Sequence, residues 1–161
     1  MSKKTVKSGG NSSSGSGHSA GGIHALVGYQ LALATVVMSP GYFNEVGLPM
    51  QLGRVEFTLL NLVDQTDGMT PTQISQAIAI KTSNITVAVD KLAGRGLLVR
   101  EKSLRDGRAQ HLHLTASGKA LVKDALVRLK KAEEIAMNHL SPGERLMLLE
   151  LLCKLAKPPS T

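Results

Sequence analysis

The sequence predicts a mainly α-helical protein with one small two-stranded β hairpin. Three observations support this. Apolar residues recur at helical spacing along most of residues 23–157. Two short alternating segments flank the tip Leu104-Arg105-Asp106-Gly107-Arg108. Cap-and-proline signatures stand at Thr70-Pro71 and Ser141-Pro142. The 161 residues are 42% hydrophobic and 19% charged, which suits one domain with one buried core.

Residues 1–22 are dominated by Gly and Ser, with Lys3, Lys4 and Lys7 as their charges. Such a segment has too little apolar area to offset its ordering entropy, so a disordered basic tail is expected. From Ile23 to Val46, Ile23, Leu26, Val27, Leu31, Ala34, Val37 and Met38 fall at helical spacing, and Pro40-Gly41 is expected to interrupt or bend the helix. A helix so poor in charge needs a partner, from its own core or from another subunit. Gly47-Leu48-Pro49 reads as a turn. Val55, Leu59, Leu62 and Val63 mark a second helix ending near Asp67-Gly68.

Thr70-Pro71-Thr72-Gln73 is a compact helix start: Thr70 caps, Pro71 suits the first helical position and Gln73 closes a capping box. This third helix is short, with Ile74, Ala77 and Ile78 on one face. After Ala79-Ile80-Lys81 a fourth begins, capped by Thr82 or Ser83, with Ile85, Ala88, Val89 and Leu92 as its buried stripe and Gly94 and Gly96 at its end. Leu97 to Ser103 and Ala109 to Thr115 read as strands. Leu97 and Val99 alternate with Leu98, Arg100 and Lys102, and Leu112 and Leu114 alternate with His111 and His113. Thr115-Ala116-Ser117-Gly118 opens a long helix carrying Leu121, Val122, Ala125, Leu126, Leu129, Ala132, Ile135 and Ala136. Ser141-Pro142-Gly143-Glu144 opens a last one carrying Leu148, Leu149, Leu152 and Leu155.

A capped short helix, a tight turn, a second helix and a basic hairpin make a winged helix-turn-helix. The expected organisation is a tail at 1–22, an N-terminal dimerisation helix at 23–50, the winged helix-turn-helix at 51–118, C-terminal dimerisation helices at 119–157 and a short tail at 158–161. The flanking helices hold more Leu, Ile, Val and Met than one small wing needs covered.

Charge locates the function. Lys and Arg number 19 against 12 Asp and Glu, a net of +7. Residues 70–119 hold eight basic and three acidic side chains, whereas residues 23–69 hold one Arg and four acids. An excess concentrated in the helix pair and hairpin suits a polyanion. The chain has no Trp, two Tyr and two Phe, which argues against stacking single-stranded bases on exposed rings. The expected partner is double-stranded DNA, whose major groove admits one helix. Lys81, Thr82, Ser83, Asn84 and Thr86 place small polar side chains and a cation at the start of the fourth helix, where they can approach base edges. Asn84 suits adenine, and the Thr86 methyl or Val87 suits a thymine methyl. Arg105 and Arg108 bracket Gly107 on the hairpin tip and can enter a narrow minor groove. Asp106 then has a structural task, pairing with an Arg to hold the tip in shape.

Residues 70–118 resemble the core of the MarR family of bacterial transcription regulators. The elements that carry the likeness are the helix pair TPTQISQAIAIKTSNITVAVDKLAGRGLLVRE, the wing LRDGRAQHLHLT and the Ala-Ser-Gly-Lys opening the next helix. The most specific marks are Asp90-Lys91-Leu92 before Arg95-Gly96-Leu97, and Asp106-Gly107-Arg108 before Leu112-His113-Leu114-Thr115. With the flanking helices the likeness covers residues 23–157. It implies a homodimer held by the first and last two helices on an inverted-repeat operator, and a repressor released by a small-molecule effector. It also implies that Asp106 and Arg108 belong to the wing's DNA-contact apparatus and that Lys91 or Arg95 lies near phosphates. Val87 departs from the polar or basic residue members often carry there. The aromatic content is low for an aromatic-lined effector pocket.

Other chemistry is sparse. A single Cys excludes an intramolecular disulfide framework and a Cys-rich zinc site. Cys153, in the last apolar helix, is expected to be a buried structural thiol. His111 and His113 share one strand face, but without further ligands they read as a polar face and no metal is expected. His139 reads as a partner for a helix C-terminus. No phosphate loop, nucleophile motif or metal helix appears, so neither an enzyme nor a cofactor is expected. No apolar run approaches the roughly 18 residues that cross a bilayer, and the lysines near the N-terminus precede no signal core. The expectation is a cytoplasmic protein without membrane contact. Two readings compete with DNA-dependent repression: a winged-helix protein-interaction scaffold whose basic face is incidental, and a redox-responsive regulator acting through Cys153.

Overall fold

The computed structural model describes residues 22–66, 68–102 and 110–157. The expected tails at 1–22 and 158–161 lie outside it, apart from Gly22, as does the hairpin tip with Arg105, Asp106 and Arg108. The described elements are α1 (Val27–Tyr42), α2 (Arg54–Asp64), α3 (Pro71–Ile78), α4 (Thr82–Gly94), β1 (Leu98–Lys102), β2 (Gln110–Leu114), α5 (Ala116–Ala136) and α6 (Pro142–Leu155). A mainly helical chain with one antiparallel pair of strands is the fold class expected.

The chain divides into two compact units between Val36 and Val37. The first contains, among described residues, a 3-10 turn at Ile23–Ala25 and the opening turns of α1. Here Gln30 Nε2 donates to the His24 carbonyl at 2.6 Å, and the His24 and Tyr29 rings meet edge to face at 5.2 Å. Ile23, Leu26, Val27, Leu31, Leu33 and Val36 are exposed.

The second unit holds the core: Val46, Leu52, Leu59, Leu60, Val63, Ile74, Ile85, Val89, Leu92, Leu97, Leu98, Leu112, Val122 and Ala125 are buried together. Helices α2, α3, α4 and α5 turn their apolar faces to it, as amphipathic spacing requires, whereas α1 and α6 bury none of their residues. Three caps form as the residue types dictate. The Thr70 hydroxyl accepts the Gln73 N–H while Gln73 Oε1 accepts the Thr70 N–H, and Ser141 and Glu144 do the same at α6. Thr115 accepts the Gly118 N–H at 3.0 Å and donates to the Gly96 carbonyl at 2.7 Å, so one hydroxyl starts α5 and anchors it to the end of α4. Each such cap contributes about 1 kcal/mol.

Several expectations need correction. Pro40 does not interrupt α1; the helix continues to Tyr42 and widens into a π-helical turn at Phe43–Gly47. Just past the proline the chain packs closely on α5: a Cβ on Gly41 would lie 3.2 Å from the Ala132 Cβ. Helix α2 stops at Asp64, before Asp67-Gly68, and the Thr66 hydroxyl donates back to the Leu62 carbonyl at 3.0 Å. Ala77 is exposed, so of the three expected apolar residues α3 buries Ile74 and half-buries Ile78. In β1 it is Leu98 that is buried and Val99 that faces solvent. Leu97 belongs to the turn, its N–H closing α4 on the Leu92 carbonyl, so the alternation begins one residue later. Leu98 pairs with Leu114 and Arg100 with Leu112, and the Leu112 N–H also reaches the Met69 carbonyl at 2.9 Å. Of the α5 stripe, Val122 and Ala125 are buried while Leu126 and Ile135 are exposed. His139 lies beyond the end of α5, two residues past its C-cap Met137. Cys153 is exposed, because α6 buries none of its residues against the described chain.

Gly118 marks the tightest approach. A Cβ there would sit 2.0 Å from the Leu97 carbonyl oxygen. Gly118→Ala is expected to destabilise the fold by about 1–3 kcal/mol through overpacking, read as a lower denaturant midpoint at unchanged slope.

Candidate nucleic-acid interface

Helices α3 and α4 meet through a three-residue turn, and this turn sets the site. Ala79 adopts the left-handed conformation (φ 53°, ψ 38°), and the Ile80 N–H closes on the Ser75 carbonyl at 3.1 Å. An alanine there costs roughly 1–2 kcal/mol. Compensation comes from side chains: Ser75 Oγ donates to the Ile80 carbonyl at 2.6 Å and accepts from the Thr82 hydroxyl at 3.0 Å. The expected cap is therefore corrected. Lys81 occupies the cap position, Thr82 is the first helical residue, and neither Thr82 nor Ser83 accepts a helix N–H. The tight turn leaves Thr82 facing α3 and its hydroxyl committed to Ser75.

On the outer side of α4, Lys81, Thr82, Ser83, Asn84, Thr86, Val87 and Asp90 are exposed, while Ile85, Ala88, Val89 and Leu92 are buried. Among the described residues, Lys81, Ser83 and Asn84 make no side-chain hydrogen bond. Thr86 Oγ1 donates to the Thr82 carbonyl at 3.0 Å. Asp90 pairs with Arg100, joining α4 to β1.

Lys91 and Arg95 are engaged inside the protein. Lys91 Nζ lies 2.7 Å from Glu56 Oε1, although the lysine side chain is 55% exposed. The Arg95 guanidinium donates to the Gln51 and Met50 carbonyls at 2.9 and 2.8 Å. Both cations thus hold α4 to the segment before and at the start of α2. The remaining expected contacts, Arg105, Asp106 and Arg108, lie outside the described residues.

Glu56 is the residue the sequence reading misses. It is only 8% exposed, and its Oε2 accepts the Gly53 N–H at 2.8 Å. Burial alone would raise its carboxyl, but the hydrogen bonds from Lys91 and Gly53 and the charges of Lys91 and Arg95 hold it below the usual carboxylate value. The Gly53-x-x-Glu56 spacing is half of a capping box. It is easily passed over because Gly53 has no side chain to complete it.

Between the end of α1, the start of α2 and α5 lies a cavity of about 330 Å³ lined by Met38, Tyr42, Arg54, Phe57, Leu129 and Glu133 among others. The Arg54 guanidinium sits 4.6 Å from the Tyr42 ring centre, and the Tyr42 hydroxyl donates to the Leu52 carbonyl at 3.0 Å. Burial pushes the Tyr42 phenol up to about 12, with Arg54 opposing and Glu56 adding to the shift, so it remains a neutral donor. Among the described residues no group of three or more His, Cys, Asp or Glu is placed to hold a metal, and no helix is long and apolar enough to cross a membrane. His113 Nε2 lies 3.8 Å from Glu101 Oε2.

A family model described as "MarR family" matches residues 50–109. A transcriptional regulator of Bacillus subtilis (strain 168), YkoM, is 31% identical over 99 residues, which are 62% of this chain and 64% of that protein. The transcriptional repressor Rv2887 of Mycobacterium tuberculosis (strain ATCC 25618 / H37Rv) is 25% identical over 131 residues, 81% of this chain and 94% of the repressor. Among solved structures, the transcriptional repressor CouR bound to a 23-mer DNA duplex is 31% identical, with a TM-score of 0.77 over 88% of this chain and all of that one.

Because its folded pKa is depressed, Glu56 contributes stability that is complete above the ordinary carboxylate value of 4.5 and is withdrawn as pH falls through the lower folded value. Glu56→Gln is expected to lower stability at neutral pH by about 1 kcal/mol, the half-exposed lysine limiting the loss. It should also flatten the acid limb of stability against pH, measured as denaturant midpoints of both proteins.

Proposed function

The chain belongs to the MarR family of winged helix-turn-helix transcription regulators, and from that premise we propose that it is a repressor that binds an inverted-repeat operator as a homodimer and releases it when a small ligand fills the cavity lined by Tyr42 and Arg54. The observation that carries the reading is the exposed start of α4, where Lys81, Ser83 and Asn84 make no side-chain hydrogen bond among the described residues. Small polar groups and a cation left uncommitted at a helix start suit a major groove. The likeness to a repressor solved on a DNA duplex supports the same partner.

Dimerisation is supported by apolar surface. Helix α6 exposes Leu146, Met147, Leu148, Leu149, Leu151, Leu152 and Leu155. A face of that kind is expected to be covered in solution, and a second copy would set two α4 helices about 34–36 Å apart, one turn of duplex. In this arrangement Arg105 and Arg108 follow the minor groove on either side, while Lys91 and Arg95 chiefly brace α4 and present their outer surface to phosphates.

The effector part rests on connectivity. Arg54 in the cavity wall follows Gly53, whose N–H holds Glu56, and Glu56 holds Lys91 on α4. A ligand with an apolar body and one polar end, drawing Arg54 off the Tyr42 ring, would shift the start of α2 and, through Glu56, tilt α4. Cys153 is exposed, and the cation beside it, Lys154, pairs with Glu150 at 2.6 Å, which leaves the redox alternative resting on the cysteine's exposure.

The test is selection of duplex from a random pool by the full chain, followed by binding at several salt concentrations. An inverted repeat is expected, with affinity falling by several orders of magnitude over a moderate rise in salt if each subunit meets about 4–5 phosphates. Reversing Arg105 and Arg108 to Glu should abolish specific affinity while sedimentation still reports a dimer. Unchanged affinity would instead favour the protein-interaction scaffold.

A further inference from the structure

Two apolar groups stand side by side in the middle of the outward face of α4. Val87 is 68% exposed, although Ile85, Ala88, Val89 and Leu92 around it are buried. It is therefore not a displaced member of the core. Thr86 is exposed as well, and its hydroxyl is donated to the Thr82 carbonyl within the helix. A threonine bonded back in this way keeps its hydroxyl hydrogen on the backbone, leaving its methyl as the group available outside. One turn further on, Asp90 is neutralised by Arg100. The face thus has uncommitted polar side chains at its start, in Lys81, Ser83 and Asn84, and methyl groups at its middle.

Apolar groups on a surface otherwise built for a polar partner call for an apolar complement. In the major groove the only apolar group on a base edge is the thymine C5 methyl, and the hydrogen-bonding atoms of thymine and uracil are the same. On the reading above, that α4 enters the major groove of an operator, we propose that Val87 and Thr86 determine specificity for thymine at the centre of each half-site by packing against its C5 methyl group.

The experiment uses the full chain and the duplex it selects. At each thymine position of a half-site the base is varied among thymine, deoxyuridine, cytosine and 5-methylcytosine, with the matching purine opposite. Methyl reading predicts at least one position where thymine binds about three- to fivefold more tightly than deoxyuridine, the effect of burying one methyl-sized group. The same factor should separate 5-methylcytosine from cytosine there, because the methyl is common to both comparisons. Val87→Ala should reduce both ratios towards one at that position, and Val87→Ile should keep them. Since Val87 is exposed, both variants should retain the wild-type unfolding midpoint. If thymine and deoxyuridine bind alike at every position, or if Val87→Ala weakens both equally, this proposal is overturned while operator binding stands. If no sequence is selected from the pool, operator binding and the proposal fall together.

Discussion

One nearly buried carboxylate joins the parts that have to work together. Glu56 sits in the first turn of α2, where a negative charge is favoured by the helix dipole and by the Gly53 N–H it accepts. Its other oxygen reaches across to Lys91 on α4. Removing a carboxylate from water is unfavourable unless its lone pairs are met, and here backbone and lysine meet them from opposite sides. The position of α4 over α2 is thereby coupled to the exact course of the chain at residues 50–54, which Arg95 grips independently through two carbonyls. Packing of Leu59, Leu60, Val89 and Leu92 supplies the bulk of the attraction, but it is non-directional; the polar contacts choose the orientation.

How far the fold is legible in the sequence depends on whether an element is specified by its own residues. Thr70, Thr115 and Ser141 make their caps with side chains three residues from the groups they satisfy, so residue type and spacing suffice to find them. The stripe Ile85, Ala88, Val89 and Leu92 is equally local. Where distant packing decides, local signals mislead. Pro40 is a helix breaker by its chemistry, yet α1 passes through it, and the next residue, Gly41, lies close against Ala132, more than ninety residues away. The side of β1 that faces inward is set by the turn closing α4 on Leu97, and period-2 alternation alone does not carry that one-residue offset.

The site shows the same division. The exposed polar start of α4 can be read from its pattern, whereas the internal commitments of Lys91 and Arg95 cannot, because their partners lie 35 and about 45 positions earlier. Thr82 reads as a cap by residue type, but the left-handed Ala79 shortens the turn and places Lys81 at the cap position instead. Cys153 reads as buried because α6 is rich in leucine; within one chain that helix buries none of its residues.

The Asp90–Arg100 pair has a mechanical consequence. It clamps the midpoint of β1 to the last turn and a half of α4, while the Leu97 N–H locks the corner between them. Strand and helix are thus tied at two points, at the corner and along their arms, rather than at the corner alone. A displacement at that corner is expected to carry strand and helix together, so the hairpin and α4 would shift as a pair.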